Sequence, residues 1–350
     1  MEPFAWRPAR TVAEVAEATH TAAAAMLTLQ PRPSEGEAVV VKAGGVDLLD
    51  LMKEGLLLPR TLLDISLLEE LKGISALEDG TLRIGALTTL GEIAASPLIR
   101  RRYAALAEAA GSAASPQIRN RATLGGNLLQ RPRCWYLRSS AHHCLRKGGG
   151  HCFAFSGDHR YHAVLANHGC AIVHPSSLAT PLLAFRAELE ILSSGGRSHR
   201  LPLEDFFVLP EADLHRENIL KSGELLAAVH LPPQASSRHS SYLEVSERAA
   251  FDWPLAAAAV NLQMDTEGRC QYARVALGAV APIPWRAVQT EVLLEGEILD
   301  AGRVASAAKA GLQGATPLPH NTYKLPLAVA LIRRAVLAAA QLADEEGGAH

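Results

Sequence analysis

Ala38-Val39-Val40-Val41-Lys42-Ala43-Gly44-Gly45-Val46-Asp47-Leu48-Leu49-Asp50-Leu51-Met52 is the stretch on which the fold turns. The run of valines predicts a buried strand, because β-branched side chains suit a pleated, packed surface. The apolar spacing of Leu48, Leu49, Leu51 and Met52 predicts a helix directly after it. Between the two, a glycine pair leaves the backbone bare, so amides and a helix N-terminus can approach an anion. Each dipole contact of this kind contributes about 0.3–1 kcal/mol, so several must converge to hold a cofactor. The loop lacks the G-x-G-x-x-G of a dinucleotide-binding unit, which argues against an ordinary NAD site. Taken alone, the glycine pair also fits a plain strand-to-helix turn.

Working outward, a second pair lies in Arg121-Ala122-Thr123-Leu124-Gly125-Gly126-Asn127, and four of the five cysteines follow it. Cys134, Cys144, Cys152 and Cys170 are spaced C-x9-C-x7-C-x17-C. Four thiolates can hold a cubane iron–sulfur cluster or a zinc ion. Structural zinc ligands usually come in tight C-x2–4-C pairs, which are absent, although His142, His143, His151 and His168 stand nearby. Free or disulfide-bonded thiols are the third reading. Arg131, Arg133, Arg138, Arg146 and Lys147 lie in the same segment, where they would offset the negative charge of a thiolate-held cluster. Cys270 sits in a polar turn, and no role is assigned to it.

With 350 residues the chain has room for two or three domains and an ample core. Hydrophobic residues make up 48% and charged residues 20%, as in an ordinary globular protein. A net charge of -2 gives no support to nucleic acid or an anionic membrane as partner. No apolar run approaches the roughly 20 residues that cross a bilayer, so no membrane insertion is expected. The start, Met1 to Arg7, does not read as a signal peptide, and the expectation is a cytoplasmic protein with reduced cysteines, or a periplasmic one if a partner subunit exports it.

Thr11-Val12-Ala13-Glu14 and Thr89-Leu90-Gly91-Glu92 read as capping boxes, the first opening a helix to about Ala25. Leu62 to Ile65 is a further strand, Gly80 turns a hairpin into Leu82–Ala86, and Pro97 opens a helix to about Ala110. From Gly111 to His174 periodicity fades, as in a functional loop. Leu182 to Leu192 and Leu226 to Leu231 regain helix and strand patterns. After a linker at Pro232–Arg238, strands are expected over Ser241–Val245, Ala256–Met264 and Tyr272–Val280, then helices near Ala301–Leu312 and Leu325–Leu342.

Three segments together carry a resemblance: Ala43-Gly44-Gly45-Val46-Asp47-Leu48-Leu49, Ile84-Gly85-Ala86-Leu87-Thr88-Thr89, and Ile118 through Thr123-Leu124-Gly125-Gly126-Asn127-Leu128. They resemble the flavin-contacting segments of the FAD-binding subunit of molybdenum hydroxylases, the xanthine dehydrogenase, aldehyde oxidoreductase and carbon monoxide dehydrogenase family. The likeness continues through His174-Pro175-Ser176-Ser177-Leu178-Ala179, Lys221 to Leu226 and Val275 to Pro282, and ends at Asn321-Thr322-Tyr323-Lys324.

The resemblance implies an α+β fold, with a PCMH or vanillyl-alcohol-oxidase-type FAD-binding unit in two subdomains (1–58 and 59–231, the cysteine loop at 131–170). A C-terminal sheet-and-helix domain of the CO-dehydrogenase-flavoprotein type follows at 238–345. It implies that Ala43, Gly44, Gly45, Val46, Asp47, Leu48, Thr123, Gly125, Gly126 and Asn127 cradle the pyrophosphate of FAD. Gly85, Ala86, Thr88 and Thr89 would line the ribityl and ring region, Leu225 would pack near the isoalloxazine, and Ser177 and Lys324 would be further contacts.

Val46 stands where the family often has Thr or Gly, and Ser177 where it often has Asp, so a phosphate hydroxyl contact and one charge are missing. Glu244 stands where relatives often carry Lys. The cysteine-bearing loop is similar to that of the aldehyde oxidoreductase branch whose flavin subunit also holds a [4Fe-4S] cluster, with Cys134, Cys144, Cys152 and Cys170 as ligands. The implied role is electron transfer from a molybdopterin-binding large subunit and a [2Fe-2S] small subunit, through FAD, to a small-molecule or protein acceptor. A trimer of one chain each, or its dimer, is the implied assembly. No side chain reads as a catalytic nucleophile or base, which argues against a stand-alone flavin oxidase. The alternative is a flavin-free scaffold subunit with a structural metal.

Overall fold

The valine run becomes an outer strand of a small parallel sheet, in a computed structural model that describes residues 2–19, 39–193, 196–235, 238–248 and 251–342. Strands β1 (Ala5–Pro8), β2 (Val39–Lys42) and β3 (Thr61–Asp64) pair in parallel with β3 in the middle. Parallel pairing needs crossover connections, and these carry helices α1 (Val12–Thr19) and α2 (Val46–Lys53). At α1, Thr11 Oγ1 accepts the Glu14 amide at 3.2 Å, while the Glu14 carboxylate accepts the Arg10 amide at 2.9 Å rather than that of Thr11. The expected extension of this helix to Ala25 lies outside the described residues.

A second sheet, entirely antiparallel, has β4 (Ile74–Ala76), β5 (Leu82–Gly85), β6 (Glu188–Leu192), β7 (Ser198–Pro202) and β8 (Leu225–Leu231) in the order β4-β5-β8-β6-β7. Every residue of central β8 is buried. Helices α3 (Leu90–Ala95), α4 (Pro97–Arg102), α5 (Ala104–Ser112), α6 (Pro116–Arg119), α7 (Leu124–Leu128), α8 (Trp135–Arg138) and α9 (Ala179–Ala184) follow along the chain. The capping box at Thr89 forms with both of its bonds.

The helix expected from Pro97 to Ala110 is broken at Tyr103, whose φ is −138° and ψ 53°. Tyr103 is fully buried, its hydroxyl donates to Pro232 O at 2.9 Å, and its ring meets Phe185 edge-on at 5.2 Å. Tertiary packing overrides local helix propensity at this point. Phe185→Ala should therefore open a cavity beside Tyr103 and cost about 3–5 kcal/mol of stability, read as a lowered urea midpoint at unchanged slope.

The C-terminal sheet is antiparallel, β12-β11-β10-β9, built from β9 (Arg238–Val245), β10 (Ala256–Met264), β11 (Cys270–Gly278) and β12 (Trp285–Arg286). Ala257 and Ala259 face the core of the five-stranded sheet, while Ala258, Val260 and Leu262 face helices α10 (Val288–Leu294), α11 (Ala301–Ala310) and α12 (Lys324–Ala340). Small residues are needed on the first face, because a Cβ on Gly278 would press on Thr180 Oγ1 of α9 at 2.5 Å. Helix α10 is absent from the sequence pattern. Cys270 is a buried strand residue whose thiol meets Tyr272 O at 3.3 Å, not part of a polar turn.

Candidate functional site

Where β2 ends, Gly45 adopts a φ of 81°, a left-handed conformation that favours glycine, and α2 starts at Val46 with no side chain capping it. The first amides of a helix have no intrahelical partner, so this N-terminus presents bare donors. Gly44 is packed backbone to backbone against the Arg121–Ala122 segment: a Cβ there would overlap the Arg121 carbonyl oxygen. The two glycine loops therefore touch, as a shared cradle requires.

The second loop is held from behind by the third motif. Leu124 N donates to Thr88 O at 2.9 Å and Gly125 N to Ala86 O at 2.8 Å, while Thr89 and Thr123 form an isolated bridge. Thr123 Oγ1 accepts the Gly126 amide at 3.2 Å, starting α7. Asn127 Oδ1 accepts the Ser176 hydroxyl at 2.6 Å, tethering the Pro175–Ser177 segment. Residues Lys221 to Leu226 close another side, and Glu244 and Asp252–Pro254 reach in from the C-terminal half.

These walls enclose a cavity of about 410 Å³, open to solvent, within the roughly 300–1,000 Å³ usual for ligand sites. Ala43, Gly44, Gly45, Val46, Asp47, Leu48, Ala86, Thr123, Gly125, Gly126, Asn127, Ser177 and Leu225 all line it. Gly85, Thr88 and Thr89 stand behind the wall. A Cβ on Gly85 would overlap the Leu71 carbonyl, Thr88 Oγ1 donates to Gly73 O at 3.0 Å, and Thr89 caps α3. Lys324 lies elsewhere. It is fully buried at the start of α12, where its ammonium donates to Ala279 O at 2.8 Å and Tyr161 O at 3.0 Å. Sequence reading does not place Lys221, Glu224, Asp252, Trp253 or Pro254 at the wall. Trp253 stacks over the Arg133 guanidinium at 4.5 Å, a pairing between distant segments that no local pattern announces.

Glu244 lines the cavity and accepts the Tyr242 hydroxyl at 2.6 Å, and burial pushes its carboxyl above the usual carboxylate range. It is thus a hydrogen-bonded residue of the cavity wall.

Next to the cavity the cysteines gather. Cys134 precedes α8, and its Sγ lies 3.2 Å from His162 Nε2, while burial pushes its thiol up to about 11. The Cys170 thiol donates to Cys152, which lowers the thiol pKa of Cys152 and raises that of Cys170. All four are free thiols. Among the described residues no three His, Cys, Asp or Glu side chains stand in metal-holding geometry.

The basic residues of the segment are placed otherwise than expected. Arg133 and Arg138 bond Asp47 and Asp50 of α2, and Lys147 Nζ donates to Ser139 O at 2.5 Å. Arg131 and Arg146 share the buried carboxylate of Glu217. Arg146 lowers the pKa of Cys170 against the larger raising effect of Cys152 and burial.

The family model described as the FAD binding domain in molybdopterin dehydrogenase matches residues 3–234, and that of the CO dehydrogenase flavoprotein C-terminal domain matches 241–339. The aldehyde oxidoreductase FAD-binding subunit PaoB of Escherichia coli K12 is 37% identical over 289 residues, covering 82% of this chain and 86% of its own. A carbon monoxide dehydrogenase structure from Hydrogenophaga pseudoflava, lacking the Mo-pyranopterin moiety of its cofactor, superposes with a TM-score of 0.72 at 25% identity, covering 98% of this chain and 100% of that one. Quinoline 2-oxidoreductase from Pseudomonas putida 86 gives a TM-score of 0.71 at 26% identity, covering 97% of this chain and 98% of that one.

Proposed function

The chain belongs to the FAD-binding medium subunits of the molybdenum hydroxylase family, and on that premise we propose that it is the FAD-holding, electron-transferring subunit of a molybdenum-dependent aldehyde oxidoreductase. The observation that carries this reading is the uncapped N-terminus of α2, aimed with two touching glycine loops into one cavity. FAD, when bound, supplies two-electron redox chemistry that no side chain of the site possesses.

The chain's own residues do the rest. The first amides of α2 would receive the pyrophosphate, whose charge the helix dipole favours, while the Gly125–Gly126 loop, its amides engaged by Ala86 O and Thr123, would form the bare backbone wall opposite. Val46 offers no hydroxyl there, so the contact falls to the backbone. Leu225 gives an apolar surface for the ring system, and Ser177 offers a hydroxyl at the wall. Lys324, engaged by two carbonyls, would hold the start of α12 against the segment around Tyr161 instead of touching the cofactor.

Cys134, Cys144, Cys152 and Cys170 would hold a [4Fe-4S] cluster. The support is an all-sulfur set of free thiols in the segment after the Gly125–Gly126 loop, in a chain similar to an aldehyde oxidoreductase subunit. A molybdopterin-binding large subunit and a [2Fe-2S] small subunit would deliver the electrons, in a trimer of one chain each or its dimer. Among the described residues no helix is long and apolar enough to cross a membrane.

The test is the visible spectrum of anaerobically purified protein, before and after dithionite, with iron and sulfide assays. Two flavin bands over a broad cysteinyl-iron shoulder, both bleached, are expected. Flavin without the shoulder removes the cluster, and a colourless protein that stays so after reconstitution removes the flavin reading and leaves the scaffold.

A further inference from the structure

Behind the wall of the large cavity lies a second, much smaller one of about 40 Å³. Arg133, Pro175, Ser177, Trp253 and Pro254 line both, so the two spaces share a partition. The small chamber lies where the 173–177 segment and the start of α9 meet the C-terminal sheet, at Tyr242 of β9 and Gly278 of β11. Its size admits about one to three water molecules. An apolar space of that size stays dry, but this one is not apolar throughout. His174 and Thr180 line it, 4% and 1% exposed. Among the described residues neither ring nitrogen of His174 has a hydrogen-bond partner, nor has Thr180 Oγ1. That hydroxyl stands against Gly278 of the lining, 2.5 Å from where a Cβ would be. Arg133 Nε is buried and unpartnered as well. Folded proteins rarely leave such groups unpaired, because each gives up its hydration with nothing in return. Four of these atoms, from three residues around one small space, call for a ligand.

The chemistry of the four atoms selects it. Burial pushes the His174 imidazole down to about 3, so the ring is neutral and offers one N–H and one bare nitrogen. The Thr180 hydroxyl donates and accepts, whereas Arg133 Nε only donates. An anion cannot satisfy a bare nitrogen, and the Arg133 charge is already matched by Asp47 and Asp50. Water does both and fits the volume. We propose that the chamber is a water site built into the partition, where ordered waters bonded by His174, Thr180 and Arg133 tie the 173–177 segment to the C-terminal sheet. The waters thereby fix from behind the segment that presents Ser177 to the large cavity. The site requires neither a flavin nor a metal.

The sign of one stability change in the full chain tests the proposal. Thr180→Val keeps the β-branched shape and removes the hydroxyl. If waters use that hydroxyl, the variant loses a hydrogen bond, and its urea midpoint should fall at unchanged slope. If the chamber is dry, the variant sheds a buried group that nothing satisfied, and the midpoint rises. An unchanged or raised midpoint overturns the proposal. A crystal structure of the wild-type chain, at a resolution that shows ordered water, gives an answer even if the variant fails to fold. Water density is expected within about 3.2 Å of a His174 ring nitrogen and of Thr180 Oγ1. An empty chamber there overturns the site, and density for an anion in its place overturns the choice of water.

Discussion

Gly44→Ala is expected to strip the protein of FAD and to lower its stability by about 1–3 kcal/mol, the usual cost of forcing an extra carbon into a packed site. The added Cβ would overlap the carbonyl oxygen of Arg121, which is backbone and has no rotamer to escape into. Relief requires the two cradle loops to part, and the α2 amides then no longer face the Gly125–Gly126 wall across one cavity. The readout is flavin absorbance per protein after gel filtration, beside a urea melt. Gly150 is the matched control, because a Cβ there meets nothing within 4 Å, so Gly150→Ala should change neither quantity. A Gly44→Ala protein that keeps its full flavin complement would show that the cradle lies elsewhere.

Glu217→Gln should destabilise the protein by about 3–5 kcal/mol, since breaking a buried ion pair leaves charge uncompensated in a low dielectric. The Glu217 side chain is 6% exposed and lies between Arg131 Nε, at 3.0 Å, and the Arg146 guanidinium, itself 2% exposed. The amide replacement keeps the shape and removes the charge. Ion pairs at the surface behave differently, and the Asp158–Arg160 pair of this chain, 38% and 56% exposed, is the internal comparison. Asp158→Asn should alter stability by no more than about 1 kcal/mol. Equal losses at the two sites, in thermal melts at matched ionic strength, would mean that Glu217 is screened and that its network carries no special weight.

Much of the architecture is readable in the chain. The valine strand, the helix after Gly45, the hairpin at Gly80 and the capping box at Thr89 are local signals, encoded within a few residues of one another. The glycine motifs are equally legible, because a close backbone approach demands glycine whatever lies opposite. What lies opposite is not: Arg121 for Gly44, Leu71 for Gly85, Ala86 for Gly125. Tyr103 shows the limit from the other side. Its helix reads as continuous in the sequence, and only its burial against Phe185 and Pro232 breaks it.

The site divides in the same way. Most residues that the resemblance assigns to the cofactor line one cavity, while Gly85, Thr88 and Thr89 support it and Lys324 sits apart. The arginines of the cysteine segment read as partners for thiolates, yet Arg133 and Arg138 turn to Asp47 and Asp50, 83 to 91 residues away in the chain. By itself the sequence determined many of the elements, the glycine pairs, the thiol set and the family motifs, because each depends on residue type and short spacing. Only the tertiary structure decided which charges meet. A guanidinium takes whichever carboxylate packing brings within about 3 Å, and that distance is a property of the folded chain.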